Sequence, residues 1–355
     1  MQKLRVGIVG AGGIAAKLHL PELRTVEGAE VAVIAGRRQS RLETLCRKFG
    51  VPRWTRSYDE VVGDSEIDAV IIAVPHPLHV EWGLKALSAG KHVFMQKPLS
   101  TSLADADRFV AAVEQSDRTV LALPYVSRPD VLAARLMVAE GRLGTVSAAR
   151  ARHSHGGPEV YYAGVQKILE EQAEDTLWFF DVARADVGAL FDMGVYAIAN
   201  LVTIVGSVRA VTARCTTVAK PTGLEDTAAL LLDFESGALG TAECGWCDAA
   251  RSSEFSVHGT AGKLVSTGRP PALMHGRPGS TIDEDAPLLE QRVDLAGYPQ
   301  ANAHPHWAEC IHRRVQPPLS NASAARHVTE IMLAALESSR AGRTVEVTSR
   351  LAPVP

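Results

Sequence analysis

A glycine-rich turn close to the N-terminus constrains the fold of this chain more than any other feature. The turn, Gly10-Ala11-Gly12-Gly13-Ile14-Ala15, follows the apolar run LRVGIV and precedes a helical segment. A G-x-G-x-x-A pattern between a strand and a helix lets the helix N-terminus hold a pyrophosphate. An ordinary glycine turn is the alternative, but the strand-turn-helix setting favours a dinucleotide. The residues predicted to bind it here are Gly10, Gly12, Gly13 and Ile14.

Short apolar strands alternate with helical segments through residue 124. The runs AEVAVIAG, IDAVIIAVP, KHVFMQKP and TVLALPYV are typical of buried strands. Two capping boxes, SRLE from Ser40 and SYDE from Ser57, each predict the start of a helix. Parallel strands joined by helical crossovers form a doubly wound sheet, so we predict a Rossmann domain over residues 1–124.

The pattern changes after residue 124. Longer alternating strands follow, and TAALLLDFESGALGTAECGW and EFSVHGTAGKLVS are each typical of an antiparallel hairpin. Because 355 residues exceed what one core usually serves, we predict an α/β protein with a second, α+β domain over residues 125–355 and a large, mostly antiparallel sheet. One face of TAALLLDF is apolar with no obvious helix to cover it, so we expect a homo-oligomer, a dimer or tetramer, formed through an open sheet face.

The charge balance and the cysteines exclude several classes of protein. Lys and Arg number 37 against 40 Asp and Glu, a net charge of -3, and no basic run could follow a phosphate backbone, so nucleic acid is not expected. No apolar run approaches the ~20 residues of a membrane span, and no signal-peptide segment precedes the first strand. Five scattered cysteines do not form a disulfide framework, which favours a cytoplasmic protein.

No metal site is predicted. Cys244 and Cys247 form a C-x-x-C pair, but in a predicted strand an offset of three sends the two side chains to opposite faces. The sequences HSH and HPH each place two histidines at period two without a spaced third ligand. Binding of substrate hydroxyls, or simple solvation, is the better interpretation, and His153 is a candidate at the mouth of a substrate site.

The end of the second strand indicates which dinucleotide binds. NAD-binding folds have an acidic residue there to hold the ribose 2′-hydroxyl. This chain has AGRRQS instead, with Arg37 and Arg38 just ahead of a helix N-terminus, where the macrodipole disfavours cations. The 2′-phosphate of NADP would compensate, so we expect NADP to be preferred and NAD to be possible. The alternative is two solvated arginines beside a pocket that accepts both cofactors.

Polar residues follow the fourth and fifth strands, at the sheet edge where ligands bind in open α/β folds. The loop AVPHPLH starts at Ala73 and brings Pro75 and His79 to this edge, although His79 could equally be a helix-start residue. Lys97, in MQKPLS, follows the next strand, so its ammonium is expected where the nicotinamide lies.

A carboxylate and a phenol complete the candidate chemistry. In GALFDMGVYAI, Asp192 and Tyr196 are four positions apart and project from one face of a helix. A lysine, a phenol and a carboxylate suit proton transfer to an alcohol or carbonyl oxygen, because a nearby ammonium lowers the pKa of a tyrosine. The alternative is a buried tyrosine bonded to a helix-capping aspartate.

Several motifs, in this order, make the chain similar to the Gfo/Idh/MocA family of glucose-fructose oxidoreductase and inositol dehydrogenase. They run nearly end to end: the glycine turn, AVPHPLH, QKP, GRLG, WFFD, DMGVY, LEDTAALL, HGTAGKL and HWAECI. The resemblance implies an N-terminal Rossmann domain and a C-terminal domain whose large open-faced sheet usually makes a homo-oligomer. It also implies a sugar, cyclitol or related polyol as substrate.

The resemblance assigns roles to individual residues. Lys97 matches the lysine of the family's E-K-P motif, which implies a cis bond to Pro98, and Asp192 matches the substrate-facing aspartate. Tyr196 stands where inositol dehydrogenases have histidine and where the glucose-fructose oxidoreductase and dihydrodiol dehydrogenase branches have tyrosine. Trp178 and Phe179 would lie near the nicotinamide, unless they stack in the core. Beyond the glycine turn and the arginines, the predicted cofactor contacts are Ala73, Pro75, His79, Gln96, Lys97 and Trp178, and the predicted substrate contacts are Lys97, Tyr125, His153, Phe179, Asp192 and Tyr196.

Three departures from the family pattern matter. Gln96 replaces the usual glutamate and leaves the Lys97 ammonium less stabilised. ADVG keeps only Gly188 of the familiar glycine run, so the backbone there is expected to be stiffer. PYVSRP stands where an asparagine-containing loop is common, which counts against a cofactor role for Tyr125.

These residues together predict an NADP-preferring oxidoreductase that moves a hydride between nicotinamide and a secondary carbinol carbon of a sugar-like substrate. Tyr196 would donate or accept the proton, Lys97 would tune it and hold the substrate oxygen, and Asp192 would orient a neighbouring hydroxyl. Two alternatives remain: a glycosidase or lyase that retains its nicotinamide for transient oxidation, and a non-catalytic dinucleotide sensor.

Overall fold

The N-terminal sheet of the computed structural model is a six-stranded parallel sheet in the order β3-β2-β1-β4-β5-β6. Its strands are β1 (Leu4–Val9), β2 (Ala29–Ala35), β3 (Trp54–Thr55), β4 (Ala69–Ile72), β5 (His92–Met95) and β6 (Val120–Leu121). The structure describes residues 3–123, 128–171, 177–267, 272–279, 288–297 and 302–352. The chain builds outward from β1 to β3 and then crosses to β4 on the other side of β1, so the predicted doubly wound sheet is confirmed. Ligands bind at such a switch point, outside the carboxyl ends of the strands.

Helices connect these strands. They are a π-helical turn (Ala15–His19), α1 (Leu20–Leu23), α2 (Gln39–Phe49), α3 (Tyr58–Val62), a 3-10 turn (His76–Leu78), α4 (His79–Ser88) and α5 (Leu103–Glu114). The helix start at Ser57 is confirmed, since its side chain accepts a hydrogen bond from the Glu60 amide at 3.3 Å. In place of the reciprocal bond of a capping box, the Ser57 N–H donates to the Thr55 hydroxyl, which donates to the Glu60 carboxylate. The box at Ser40 is wrong. The helix α2 begins before it, at Gln39 with Arg38 as its N-cap, and the Glu43 carboxylate accepts from the Gln39 side-chain amide instead.

The contacts divide the chain into two compact units that differ from the contiguous division predicted at residue 124. The first unit comprises residues 1–124, 158–186 and 302–329, and the second comprises residues 125–157, 187–301 and 330–355. The added segments carry α7 (Pro158–Leu169), a 3-10 turn (Trp178–Phe180), α8 (Val182–Ala185), α10 (Ala303–Arg313) and the start of α11 (Ala322–Ala341). Val165 and Trp307 from these segments are buried in the core that surrounds β1, which explains why they belong to this unit.

The second unit is built on a nine-stranded sheet in the order β14-β13-β12-β11-β7-β10-β9-β8-β15. Its strands are β7 (Val146–Ser154), β8 (Val208–Thr216), β9 (Thr227–Phe234), β10 (Leu239–Gly245), β11 (Ser252–Gly259), β12 (Gly262–Thr267), β13 (Ala272–Pro278), β14 (Leu288–Arg292) and β15 (Val345–Glu346). All neighbouring strands are antiparallel except β7 and β10. The mostly antiparallel sheet and both predicted hairpins, β9-β10 and β11-β12, are confirmed.

The helices of the second unit cover one face of this sheet. They are α6 (Pro129–Ala139), a π-helical turn (Leu190–Gly194), α9 (Val195–Val205) and a short 3-10 turn (Leu295–Gly297). On β9, Leu230 and Leu232 are buried beneath the helices, whereas Leu231 on the opposite face is 45% exposed. One helical stretch, Val182–Val205, is long and apolar enough to cross a membrane, but 89% of its most apolar part is buried, as in the core helix of a globular protein.

Candidate active site

The glycine turn after β1 fits closely against the protein and leaves space on one side. Gly10 has φ 98°, and a Cβ there would lie 2.5 Å from the Ala73 carbonyl oxygen, so only glycine can occupy this position. A Cβ on Gly13 would lie 3.1 Å from Val165. At Gly12 the nearest atom would be the Gly10 oxygen at 3.9 Å, so this stretch of backbone is open. Such an open glycine backbone at the start of a helical segment suits a pyrophosphate.

One of the two arginines predicted to hold a 2′-phosphate, Arg38, lies beside an acidic residue that the sequence did not indicate. Arg38 forms an ion pair with Glu171 at 3.6 Å, and Glu171 also accepts two hydrogen bonds from Arg41, one of them at 2.8 Å from Nε. Arg37 is exposed. Glu171 follows α7, far from the arginines in sequence, so no local pattern could reveal the pairing.

His79 lies at the predicted sheet edge, but its ring contacts the protein. It is the first residue of α4 and is 1% exposed. Its Nδ1 lies 2.6 Å from the Pro98 carbonyl oxygen and its Nε2 lies 2.9 Å from that of Val74. Burial lowers the pKa of His79 to about 4. The ring of His79 thus joins the loops that follow β4 and β5, and its cofactor contact stays a prediction.

An aromatic cluster in the first unit lies next to these loops. The rings of Trp178 and Phe179 are 3.9 Å apart, and the His76 ring meets both edge-on, at 5.1 and 5.8 Å. Trp178 Nε1 donates to the Tyr162 hydroxyl at 3.2 Å. Trp178 and Phe179, which are predicted to lie beside the nicotinamide, are therefore partly buried by aromatic packing, as the alternative of stacking expects. Both belong to the unit that carries the glycine turn.

Lys97 follows β5, as predicted, and its peptide bond to Pro98 is cis. Its backbone N–H donates to the side-chain oxygen of Gln96 at 3.1 Å, and its ammonium contributes to lowering the pKa of His79, after the larger effect of burial. Gln96 itself is buried, and its amide nitrogen lies 2.8 Å from His19 Nε2. The polar atoms of Gln96 thus contact His19 and the Lys97 backbone, and its cofactor contact stays a prediction.

In the second unit, Asp192 contacts residues that directly follow β10 and β7, and Tyr196 contacts β7 itself. The Trp246 indole N–H donates to Asp192 Oδ2 at 2.9 Å, and His155 Nε2 lies 3.8 Å from the same oxygen. The ring of Tyr196 stacks on His153 with centroids 4.5 Å apart. His155 and Trp246 are additions to the predicted site. The HSH pattern pointed to His155, whereas nothing in the sequence marked Trp246.

The helix that carries Asp192 is capped by another carboxylate. Glu225 Oε1 accepts hydrogen bonds from the Gly188 and Leu190 amides, at 3.0 and 3.2 Å. Burial raises the pKa of Glu225. A Cβ on Gly188 would lie 2.1 Å from the Glu225 carbonyl oxygen, so the one glycine kept in ADVG is the one that this contact requires. Glu225 thus supplies acceptors for the start of this helix, and the alternative of a tyrosine bonded to Asp192 stays open.

Two further predictions concern metal binding and Tyr125. Across the parts of the chain that the structure describes, no group of three or more His, Cys, Asp or Glu residues could hold a metal ion. Cys244 is buried in β10, whereas Cys247 is exposed and follows the end of that strand, so the predicted strand does not extend to the second cysteine. Tyr125, predicted to bind substrate, lies outside the described residues.

The fold defines a protein with a Rossmann domain and a second unit that carries Asp192 and Tyr196. Residues 4–123 match the Gfo/Idh/MocA oxidoreductase family with an NAD-binding Rossmann fold, and residues 131–265 match the GFO/IDH/MocA C-terminal domain. Trans-1,2-dihydrobenzene-1,2-diol dehydrogenase of Mus musculus is 30% identical over 68% of this chain and 68% of its own. The chain therefore belongs to the Gfo/Idh/MocA family.

Other relatives and solved structures agree with this assignment. D-xylose 1-dehydrogenase (NADP(+)) 2 of Haloferax volcanii is 28% identical over 73% of this chain and 74% of that protein. An uncharacterized oxidoreductase of Rhizobium meliloti is 33% identical, but the match spans only 56% of this chain and 55% of that protein. Levoglucosan dehydrogenase in complex with NADH and levoglucosan superposes with a TM-score of 0.83 at 22% identity, covering 98% of this chain and 100% of that one. At this identity the structural match shows the fold alone.

Proposed function

We propose that the chain is an NAD(P)-dependent oxidoreductase that interconverts a secondary alcohol and a ketone on a sugar, cyclitol or related polyol. The observation that carries this proposal is the grouping around Asp192 and Tyr196, where Trp246 and two histidines surround a carboxylate and a phenol. Hydroxyl-rich substrates are recognised by such convergent polar groups. The names of the relatives, which include a xylose dehydrogenase and a dihydrodiol dehydrogenase, support the substrate class.

The nicotinamide cofactor, when bound at the glycine turn, supplies the hydride acceptor or donor. Tyr196 takes the proton of the substrate hydroxyl during oxidation and returns it during reduction. Lys97 lowers the pKa of the phenol and donates a hydrogen bond to the substrate oxygen, because an ammonium favours both the phenolate and an alkoxide. The His153 ring, stacked on Tyr196, keeps the phenol in one orientation.

Asp192 orients the substrate in this proposal. Its Oδ2 is held by the Trp246 indole, and His155 stands 3.8 Å away. A carboxylate fixed from one side accepts a hydrogen bond from a substrate hydroxyl in a defined direction. A hydroxyl next to the reacting carbon is the natural partner, which favours substrates with adjacent hydroxyl groups. Phe179 and Trp178 are proposed to contact substrate and cofactor, respectively, from the first unit.

We propose that NADP is the preferred cofactor, with Arg37 and Arg38 binding the 2′-phosphate. Arg38 and Arg41 already pair with Glu171, so a bound phosphate competes with that carboxylate for the guanidinium groups. This competition makes the preference for NADP over NAD smaller than two arginines without an acidic partner would give. NAD is therefore expected to bind as well, though more weakly. The chain is further proposed to act as a cytoplasmic homo-oligomer, joined through the uncovered face of the nine-stranded sheet.

A substrate screen tests the proposed function. Purified protein is mixed with NADP or NAD and a panel of aldoses, cyclitols and deoxy sugars, and growth of reduced-nicotinamide absorbance is recorded. We expect turnover with at least one polyhydroxylated substrate and none with substrates that lack adjacent hydroxyl groups. The Asp192→Asn variant should raise KM for the active substrate. A panel without any turnover, in a protein that binds the cofactor, would contradict the proposal.

A further inference from the structure

Four polar side chains of the first unit form one chain of hydrogen bonds that ends at the Lys97 backbone. Glu22 Oε2 lies 2.6 Å from His304 Nδ1, and His304 Nε2 lies 2.8 Å from His19 Nδ1. His19 Nε2 lies 2.8 Å from the Gln96 amide nitrogen, and the Gln96 oxygen accepts from the Lys97 N–H at 3.1 Å. We refer to Glu22, His304, His19 and Gln96 together as the imidazole chain.

The imidazole chain is closed to water along most of its length. His19, His304 and Gln96 are 0%, 1% and 3% exposed, whereas the Glu22 side chain is 41% exposed. The Phe94 ring stacks on His304 at 4.8 Å and meets the His19 ring edge-on at 5.3 Å. A buried hydrogen bond that is lost here cannot be replaced by solvent, so each link depends on the protons of its neighbours.

The direction of every hydrogen bond follows from one end. A backbone N–H only donates, so the atom of Gln96 that faces Lys97 is the amide oxygen, and the amide N–H points to His19. His19 Nε2 therefore accepts, its proton is on Nδ1, and it donates to His304 Nε2. His304 in turn carries its proton on Nδ1 and donates to the Glu22 carboxylate. His19 then carries a single ring proton and is neutral, in agreement with its lowered pKa, whose main cause is burial.

We propose that the imidazole chain positions Lys97, and that Gln96 sets the direction in which the hydrogen bonds of the imidazole chain run. The inference rests on the proposed function, because that function gives Lys97 its role at the substrate oxygen. It also accounts for the glutamine that replaces the glutamate usual before this lysine. A carboxylate at position 96 would only accept hydrogen bonds, and two imidazoles between two carboxylates would have to bind an extra proton in a buried site.

The proposal predicts an unusual pattern in three variants of purified protein. Gln96→Glu has nearly the same shape, but its carboxylate cannot donate the hydrogen bond to His19. The loss of one buried hydrogen bond should lower kcat about tenfold or more, and the cofactor Kd should change less than about twofold. Glu22→Gln should stay within about twofold of the original kcat, because its amide oxygen can still accept from His304. In the double variant Gln96→Glu/Glu22→Gln, the new amide at position 22 can donate, so every bond among the four side chains reverses and most of the lost kcat should be recovered.

Two measurements on the free protein keep the test separate from activity. Thermal unfolding of the same variants should show the same rescue, with the double variant melting above Gln96→Glu. Nitrogen NMR of the original protein, labelled at histidine and assigned with His19→Asn and His304→Asn, should show both residues as the Nδ1–H tautomer. Neither measurement requires a substrate or the proposed reaction.

The outcomes separate failure of this inference from failure of the proposed function. Additive effects of Gln96→Glu and Glu22→Gln on both kcat and melting temperature, or an Nε2–H tautomer at either histidine, would overturn the imidazole chain. If Lys97→Met retains full turnover while the melting rescue and the tautomers are as expected, the proposed function of Lys97 fails and the chain stands as a structural device only. That result would overturn the positioning role.

Discussion

Replacing Tyr196 by phenylalanine tests the proposed proton transfer with little change of shape. The ring that stacks on His153 at 4.5 Å is kept, and only the hydroxyl is removed. Loss of a positioned general acid or base costs about 10²- to 10⁴-fold in turnover. Removing one hydrogen-bonding hydroxyl costs only ~1 kcal/mol of unfolding free energy, and at most a few degrees of melting temperature follow.

The assay measures kcat, KM, cofactor affinity and melting temperature on a substrate identified by the polyol screen. We expect kcat to fall within the catalytic range, while NADP affinity and melting temperature change little. Lys97→Met should reduce kcat at least as much, because the ammonium both acidifies the phenol and donates to the substrate oxygen. With Tyr196 still present as the base, the residual activity of Lys97→Met should have its pH optimum shifted upward.

Tyr161→Phe serves as the matched control. Its ring, against which the Lys17 ammonium lies at 4.2 Å, is likewise kept, and it belongs to the first unit, whereas Asp192 and Tyr196 belong to the second. Both variants lose one phenolic hydroxyl, so a purely structural tyrosine at 196 should behave like the control. Near-normal turnover in Tyr196→Phe would refute the reasoning and would transfer the proton-transfer role to His153 or His155.

Three further predictions concern the cofactor, acid stability and assembly. The double variant Arg37→Ala/Arg38→Ala should weaken NADP binding by roughly 1.5 to 3 kcal/mol per lost charge-assisted contact and leave NAD binding little changed. The variant Glu171→Gln should strengthen NADP binding. Calorimetric titration that shows tighter binding of NAD than of NADP by the original protein would contradict both predictions. The pKa of His79 is about 4 in the folded protein, against an ordinary value of 6.5. Between these two values the unfolded chain binds more protons than the folded one, so the denaturant midpoint of unfolding should fall as the pH decreases through this window. The fall should be smaller in His79→Gln. Light scattering should give a mass that is a multiple of 37.9 kDa. Leu231→Lys, on the sheet face opposite the helices, should reduce the measured mass. A monomer at micromolar concentration would contradict the proposed assembly.

Much of the fold could be predicted because its signals are local. The glycine turn, the alternating strands and the hairpins each depend on residues that are close in sequence, and the two sheets confirm them. The boundary between the units was harder, since α7 and α10 join the first unit through long-range packing. Val165 reaches the core near Gly13 from a segment that follows β7, and nothing in its local sequence indicates which sheet it covers.

The site shows the same division between local and distant signals. Lys97, Asp192 and Tyr196 stand in short motifs, and the structure places each on the element predicted for it. Glu225 and Trp246 contact the segment of Asp192 from distant parts of the chain, as Glu171 contacts Arg38, and a single sequence does not show such pairings. Their effects are electrostatic and directional, and they become visible only when the distances between specific atoms are known.

The capping of the helix by Glu225 has a consequence for the role of Asp192. The first amides of a helix need acceptors, and an aspartate in the first turn is an obvious one. Here Glu225 accepts from Gly188 and Leu190, so the helix does not depend on Asp192 for its start. In the proposed function Asp192 instead orients a substrate hydroxyl. The Trp246 indole N–H, which donates to one oxygen of the carboxylate, would fix the direction of that contact.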